Sequence, residues 1–413
     1  MNRSGVRGIV LATAMAVAGV TGLAVGAGAS SPSDSSKVPA PEGLPKFYAV
    51  PGKLPSKPGK MVKFQRVKAP EIDGTVYRVM YTSTDLEDNA IPVTGTIIVP
   101  SGPAPKGGWP VVTAAHGTAG MADECAPSLD PVGNADETNM LLVQGWVITA
   151  TDYQGLGTPG LHPYIAGENA GRNTIDIARA ARTFKPAHAG SDYVIWGHSQ
   201  GGHSALFGWK IAADYAPELT LHGVVAGAPP SQLGLFYAIL KDSPERQYLT
   251  MAAGGLNAAY GDAAAPLDQV LTPKGIELLA ELDNGCLGYV HDLAQEYDYS
   301  EIGTVDPATV PEWKTLLDEN DPQSFTETND VPLLIIHGGA DTLIPPVSST
   351  ILKDHLCTLA SVERWLYPGQ SHGGVVQPSL NDMITWINTR FEDSDSEVSP
   401  SGPPDPEVTN CSS

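Results

Sequence analysis

The chain has 413 residues, of which 42% are hydrophobic and 17% charged, a composition typical of a globular protein. This length exceeds that of an ordinary single domain, so we expect one large domain with an insertion, or two domains. The formal net charge of −22 argues against nucleic-acid binding and against docking on anionic membranes, because both need clustered Lys and Arg side chains. The composition therefore excludes a nucleic-acid function.

Residues 1–29 have the pattern of a secretory signal peptide. Arg3 and Arg7 precede an apolar run over residues 8–23, and Ala27-Gly28-Ala29 supplies the small residues that a signal peptidase reads. A membrane anchor is the alternative, but Gly and Ala make this run only weakly hydrophobic. We predict export through a Sec-type signal, a secreted mature protein, and no integral membrane span after signal removal.

The predicted elements begin after an extended, Ser- and Pro-rich lead-in over residues 30–58. Strands rich in Val, Tyr, Thr and Ile are predicted first, and short, almost wholly apolar strands follow, at 75–83, 92–99, 111–115, 146–150, 193–196, 223–226, 333–336 and 363–366. Helices are predicted at 173–184, where Asn173 or Thr174 could cap the first turn, and at 348–359 and 378–391. Such continuous hydrophobicity suits a doubly wound, mostly parallel sheet buried on both faces by helices, which is an α/β fold.

About a hundred residues separate the predicted strands 223–226 and 333–336, far more than one crossover needs. We therefore predict that residues 230–330 are an inserted, mainly helical cap, and that 59–229 and 331–391 form the core. Residues 392–413 are an acidic, Ser- and Pro-rich tail whose composition is typical of disorder, but Cys411 offers a way to pin it.

The segment Gly197-His198-Ser199-Gln200-Gly201 follows a predicted buried strand and precedes a helical run. This is the strand–turn–helix context of a nucleophile elbow, in which glycines let a strained Ser present its hydroxyl. A glycine turn with an incidental serine is the alternative. We predict that Ser199 is the nucleophile of an α/β-hydrolase fold.

A serine nucleophile needs a histidine base, and the base needs an acid to orient it. In α/β-hydrolases the acid and then the base follow the serine along the chain. Asp341 follows strand 333–336 and His372 lies in a glycine-rich loop after strand 363–366, so we predict these as acid and base. Asp341 could instead cap the next turn. Weaker rivals are Asp330 and Asp354 for the acid, and His291, His337 and His355 for the base.

The developing negative charge on the substrate needs backbone N–H donors. Gln200 should supply one. The loop His116-Gly117-Thr118-Ala119-Gly120 follows another strand, and Thr118 is the predicted second donor, with His116 in a structural role. His198 and His203 are five residues apart, which is not the spacing of a zinc-binding helix, so we predict neither a metal nor a cofactor.

Together, several segments resemble the secretory lipases of the lipase A type in their bacterial form. They are His116-Gly117-Thr118, Asp152 to Gly157, Tyr164 to Gly167 with Gly171, the Ser199 motif, and the Asp341 and His372 loops. The resemblance implies an α/β-hydrolase core with a helical cap that hydrolyses lipid and other carboxylic esters. Fungal members usually carry an acidic residue where this chain has Thr118. We interpret Asp152 and Tyr153 as residues that shape their loop.

Four cysteines, Cys125, Cys286, Cys357 and Cys411, suggest two disulfides in an exported protein. Three connectivities are possible, and the spacing alone does not choose among them. Cys125 follows the oxyanion loop and Cys286 lies in the predicted cap that covers it, whereas Cys357 lies in the last part of the predicted helix 348–359 and Cys411 lies in the tail. These positions favour pairing Cys125 with Cys286 and Cys357 with Cys411, which is also what the resemblance implies.

The sequence thus predicts a secreted serine carboxylic-ester hydrolase, of lipase type, that acts on ester or lipid substrates through an acyl-enzyme. A secreted serine peptidase or acyltransferase on the same fold is the alternative, since one site chemistry serves several substrates. A non-catalytic binding protein is a third reading, against which the complete set of Ser199, Asp341 and His372 argues. No oligomeric state is indicated.

Overall fold

The computed structural model describes residues 37–133, 135–392, 398–400 and 405–411. The predicted signal peptide, residues 1–29, lies outside the described residues. Within them, no helix is long and apolar enough to cross a bilayer.

The described residues form one sheet of ten strands, in the order β1-β2-β3-β5-β4-β6-β7-β8-β9-β10. The strands β4 to β9 run parallel, whereas β1, β2, β3 and β10 pair antiparallel with their neighbours. Their bounds are β1 Lys60–Val67, β2 Gly74–Thr84, β3 Ala90–Pro100, β4 Trp109–Ala115, β5 Val147–Thr151, β6 Ala189–His198, β7 Thr220–Gly227, β8 Leu333–Gly338, β9 Val362–Tyr367 and β10 Glu407–Asn410. The predicted fold class, a mostly parallel α/β-hydrolase sheet, is confirmed.

Two strands lie where no strand was predicted. β1 pairs with β2 and exposes much of its surface, as an edge strand does. β10 pairs antiparallel with β9, so the tail is held by main-chain hydrogen bonds as well as through Cys411. The pairing of β10 with β9 was not predicted.

Helices cover both faces of the sheet and bury its apolar side chains. One face packs against α2 (Gly167–Thr183), α3 (Gln200–Tyr215) and α10 (Pro346–Leu356), and the other against α1 (Ala135–Leu142) and α11 (Val376–Phe391). Cys357 lies just beyond the end of α10, and not inside a helix that reaches residue 359 as predicted.

The predicted cap of α2 at Asn173 or Thr174 is wrong. The helix begins six residues earlier than predicted, and both side chains are buried inside it. Gly171 lies within the added turn and contacts α3, where a Cβ would lie 2.8 Å from the backbone nitrogen of Gly208. Glycine, a poor helix former, is tolerated at this position because it lets the two helices pack closely.

Between β7 and β8, the described residues form six α-helices: α4 Phe236–Leu240, α5 Gln247–Tyr260, α6 Pro273–Glu281, α7 Leu287–Gln295, α8 Tyr299–Ile302 and α9 Pro311–Glu319. They enclose an apolar cluster of their own that includes Leu256, Leu278 and Trp313. These helices support the prediction that residues 230–330 form a cap, and we refer to this segment as the cap. A disulfide joins Cys125, after β4, to Cys286 before α7, and a second joins Cys357 to Cys411.

Candidate active site

Ser199 lies at the turn between β6 and α3 with φ 59° and ψ −121°, a strained conformation for a residue with a side chain. The two glycines of the motif make this turn possible. A Cβ at Gly201 would lie 1.9 Å from the carbonyl oxygen of Ala115, and one at Gly197 would lie 2.2 Å from that of Gly201. No larger side chain fits at either position, so the serine is presented at the carboxyl edge of the sheet.

Asp341 follows β8 and His372 follows β9, and the two side chains are in contact. Asp341 Oδ2 accepts a hydrogen bond from Nδ1 of His372 at 2.6 Å. Nε2 of His337 donates to the carbonyl oxygen of Ile344 at 2.9 Å and also lies 3.2 Å from Asp341 Oδ2. Its Oδ1 accepts from the backbone N–H groups of Leu343 and Ile344, each at 2.9 Å. Burial opposes ionisation of Asp341, but the hydrogen bonds from His337 and His372 outweigh it and hold the pKa of this carboxyl well below its usual range.

The imidazole of His372 is held beside the elbow by His198, the residue that precedes Ser199. Nε2 of His198 donates to the carbonyl oxygen of His372 at 2.8 Å, and the two ring centroids lie 4.7 Å apart. Burial lowers the pKa of His198 to about 4, so its ring is neutral at pH 7. Nε2 of His372 is buried and has no hydrogen-bond partner among the described residues.

The loop that carries Thr118 packs against the elbow. A Cβ at Gly117 would lie 3.7 Å from the Cβ of Ser199. Among the described residues, neither the backbone N–H of Thr118 nor that of Gln200 has an acceptor. The Thr118 hydroxyl lies 2.9 Å from that of Tyr164.

Hydrogen bonds to His116 hold the loop that carries Thr118. Tyr153 donates its hydroxyl hydrogen to the carbonyl oxygen of His116 at 3.1 Å, and a ring nitrogen of His116 lies 3.2 Å from the carbonyl oxygen of Asp152. The buried Asp152 carboxyl accepts from the backbone N–H of Ser128 at 2.8 Å. These contacts support the structural interpretation of His116, Asp152 and Tyr153.

An apolar cavity leads from Ser199 into the cap. The core contributes Leu343 and Ile344, which follow Asp341. Most of the remaining lining comes from apolar side chains of the cap, among them Phe236, Leu240, Ala252, Leu256 and Trp313. The geometry therefore places a largely apolar cavity, lined by aromatic and aliphatic side chains, next to Ser199.

The structure brings Ser199, Asp341, His372, Thr118 and Gln200 to one edge of the sheet. Of the rival histidines, His337 contacts Asp341, His355 binds the carbonyl oxygen of Phe325 at 2.9 Å, and His291 lies on α7 of the cap. Two histidine contacts with the site were not predicted: that of His198 with His372, and that of His162, whose Nε2 lies 2.8 Å from Nε2 of Gln200. For His162, no local pattern could have indicated the contact. Among the described residues, no group of three or more His, Cys, Asp or Glu side chains could hold a metal ion.

A family model described as secretory lipase matches residues 136–398. Two curated relatives are similar at low identity. Lipase A of Moesziomyces aphidis is 23% identical over 259 residues, 57% of this chain and 54% of that protein. The secreted triacylglycerol lipase LIP4 of Malassezia globosa is 23% identical over 346 residues, 77% of this chain and 72% of that protein. The matched part of the chain thus spans about half of the first relative's length.

Solved structures show the same fold. Candida antarctica lipase A superposes with a TM-score of 0.72 at 20% identity, covering 83% of this chain and 84% of that one. The rice cell wall degrading esterase LipA from Xanthomonas oryzae superposes with a TM-score of 0.68 at 15% identity, covering 81% of this chain and 99% of that one.

Proposed function

Because this chain belongs to the secretory lipase family, a family of ester hydrolases, we propose that it is a secreted carboxylic-ester hydrolase acting through Ser199, His372 and Asp341. The observation that carries the proposal is the 2.6 Å hydrogen bond between His372 and Asp341 beside a strained Ser199. A base fixed by a carboxylate next to a serine on an elbow is the arrangement that activates a hydroxyl for acyl transfer.

In the proposed reaction, Oγ of Ser199 attacks the ester carbonyl carbon while Nε2 of His372 takes the hydroxyl proton. The charge on the carbonyl oxygen is stabilised by the backbone N–H groups of Thr118 and Gln200, and the imidazolium by Asp341. His372 then donates its proton to the departing alcohol, which leaves an acyl-enzyme. Water, deprotonated by His372, attacks the acyl carbon; the bond to Oγ of Ser199 breaks, His372 returns the proton to Oγ, and the acid is released.

The apolar cavity favours an ester with an aliphatic acyl chain. Burial of a chain among Phe236, Leu256 and Trp313 would contribute about 0.8 kcal/mol per CH₂ group. The curated relatives named as secreted triacylglycerol lipases support lipid esters as substrates and support secretion. The two disulfides fit an oxidising compartment.

The test is ester hydrolysis by wild type and by Ser199→Ala, with Ser361→Ala as control, because Ser361 is exposed and precedes β9 at the end of the strand opposite His372. We expect Ser199→Ala to lose hydrolysis of p-nitrophenyl esters by several orders of magnitude, and to lose covalent labelling by a fluorophosphonate, while Ser361→Ala keeps both. Substantial turnover by folded Ser199→Ala would contradict the role of Ser199. Faster cleavage of aminoacyl anilides than of esters would favour a peptidase.

A further inference from the structure

The side chain of Gln200, the residue after the nucleophile, is buried and makes one hydrogen bond among the described residues. Gln200 is 2% exposed, and its Nε2 lies 2.8 Å from Nε2 of His162, which is 1% exposed. Its Oε1 is buried and has no hydrogen-bond partner among the described residues. The ring of His162 is therefore the group that holds this carboxamide.

The hydrogen-bond partners of His162 determine the direction of this contact. Its Nδ1 lies 2.8 Å from the carbonyl oxygen of Gln154, which can only accept, so Nδ1 carries the hydrogen. Burial, reinforced by the nearby His116, lowers the pKa of His162 to about 4, and the ring is neutral at pH 7. Its Nε2 is then an acceptor, and Gln200 donates to it.

Gln154, whose carbonyl oxygen accepts the hydrogen of His162 Nδ1, is itself held by two residues of α2. Asn169 donates to the side-chain oxygen of Gln154 at 2.6 Å, and the backbone N–H of Gln154 donates to Asn173 Oδ1 at 2.8 Å. The rings of Tyr153 and Tyr164 lie 5.8 and 6.1 Å from that of His162, centroid to centroid. The orientation of His162 is thus set by groups outside the reacting centre.

We propose that His162 is a positioning residue: it anchors the Gln200 side chain and so directs the Gln200 backbone N–H toward the oxyanion. This inference rests on the proposed function. The peptide that joins Ser199 to Gln200 lies at the start of α3, where one helical hydrogen bond, from the N–H of His203 to the carbonyl oxygen of Ser199 at 3.1 Å, restrains it. An oxyanion donor acts over a narrow range of distance, so a small rotation of this peptide weakens transition-state binding more than substrate binding.

Four variants test the proposal with p-nitrophenyl butyrate, with kcat normalised to active sites titrated by a fluorophosphonate. We expect His162→Phe to lower kcat by about tenfold and to leave KM within about twofold, because the ring remains but the acceptor is lost. His162→Gln retains an acceptor oxygen and should recover most of that loss. Gln200→Leu keeps the backbone N–H, and its kcat should fall as much as that of His162→Phe. The double variant His162→Phe/Gln200→Leu should lose no more kcat than either single variant.

His188→Asn is the matched control, since this exposed histidine precedes β6 at the end of the strand opposite Ser199. Additive losses in the double variant, or a rise in KM with unchanged kcat, would overturn the proposal. If His162→Phe does not fold, a folded Gln200→Leu with wild-type kcat overturns it alone. Wild-type protein without esterase activity would instead contradict the proposed function.

Discussion

Replacement of Asp341 by Asn tests whether the carboxylate sets the tautomer of His372. The amide oxygen can keep the two hydrogen bonds from the backbone of Leu343 and Ile344, each 2.9 Å, so the loop should stay in place. The amide NH₂ then takes the position of Oδ2, 2.6 Å from Nδ1 of His372. Two donors cannot face each other, so the imidazole moves its hydrogen to Nε2 and can no longer accept the proton of Ser199.

The expected loss is large because the proton acceptor itself is removed. A wrong tautomer of the base costs about 10⁴ in kcat in a serine protease. At about 1.36 kcal/mol per tenfold, a loss of 10³ to 10⁴ corresponds to roughly 4 to 5.5 kcal/mol of transition-state stabilisation. This exceeds the contribution of an exposed ion pair by several-fold.

The assay is the initial rate of p-nitrophenyl butyrate hydrolysis at pH 8, with folding checked by thermal unfolding. Asp354→Asn is the control, because Asp354 is a 65% exposed rival that pairs with Lys353 at 2.9 Å. We expect this control to stay within about twofold of wild type, as surface substitutions usually do. A folded Asp341→Asn protein that keeps more than about a tenth of wild-type kcat would refute the assignment of Asp341.

Three further predictions concern the cap, the tail and pH. Ala252→Phe should fill the apolar cavity and shift hydrolysis toward esters with shorter acyl chains, whereas Ala258→Phe, on the exposed side of α5, should not. If Ala252→Phe leaves the chain-length profile over a p-nitrophenyl ester series unchanged, the cavity does not bind the acyl chain. Replacing both Cys357 and Cys411 by Ser should lower the free energy of unfolding in urea by about 2–4 kcal/mol without changing kcat per active site, and a loss below about 1 kcal/mol would contradict this. Burial and a neighbouring carboxylate raise the pKa of Asp123 from 3.8 to about 6. The folded state therefore binds this proton more tightly than the unfolded state, and the resulting stabilisation is complete below pH 3.8 and is lost as pH rises through 6. Asp123→Asn should therefore be more stable than wild type at pH 8, by roughly 1 kcal/mol after solvent screening of this half-buried group, and no more stable at pH 3.5; equal melting temperatures at pH 8 would show the reasoning to be wrong.

Local sequence was sufficient to predict those features whose defining residues lie within one short segment. The elbow could be predicted because Gly197 and Gly201 flank Ser199 directly after a buried strand, and each glycine is required by a backbone contact. Asp341 and His372 could be predicted as candidates because both follow buried parallel strands, whose carboxyl ends share one edge of the sheet. The sequence by itself thus determined the fold class and the residues proposed for the chemistry.

Tertiary structure decided the features that depend on distant partners. β1 and β10 have no strong apolar pattern and form through pairing with β2 and β9. The unpredicted first part of α2 includes Gly171, which packs against α3. His162 meets Gln200 across 38 residues of chain, and the spacing of the two indicates no contact. Burial, hydrogen-bond direction and pKa are properties of the packed neighbourhood, because they depend on which groups replace water around a side chain.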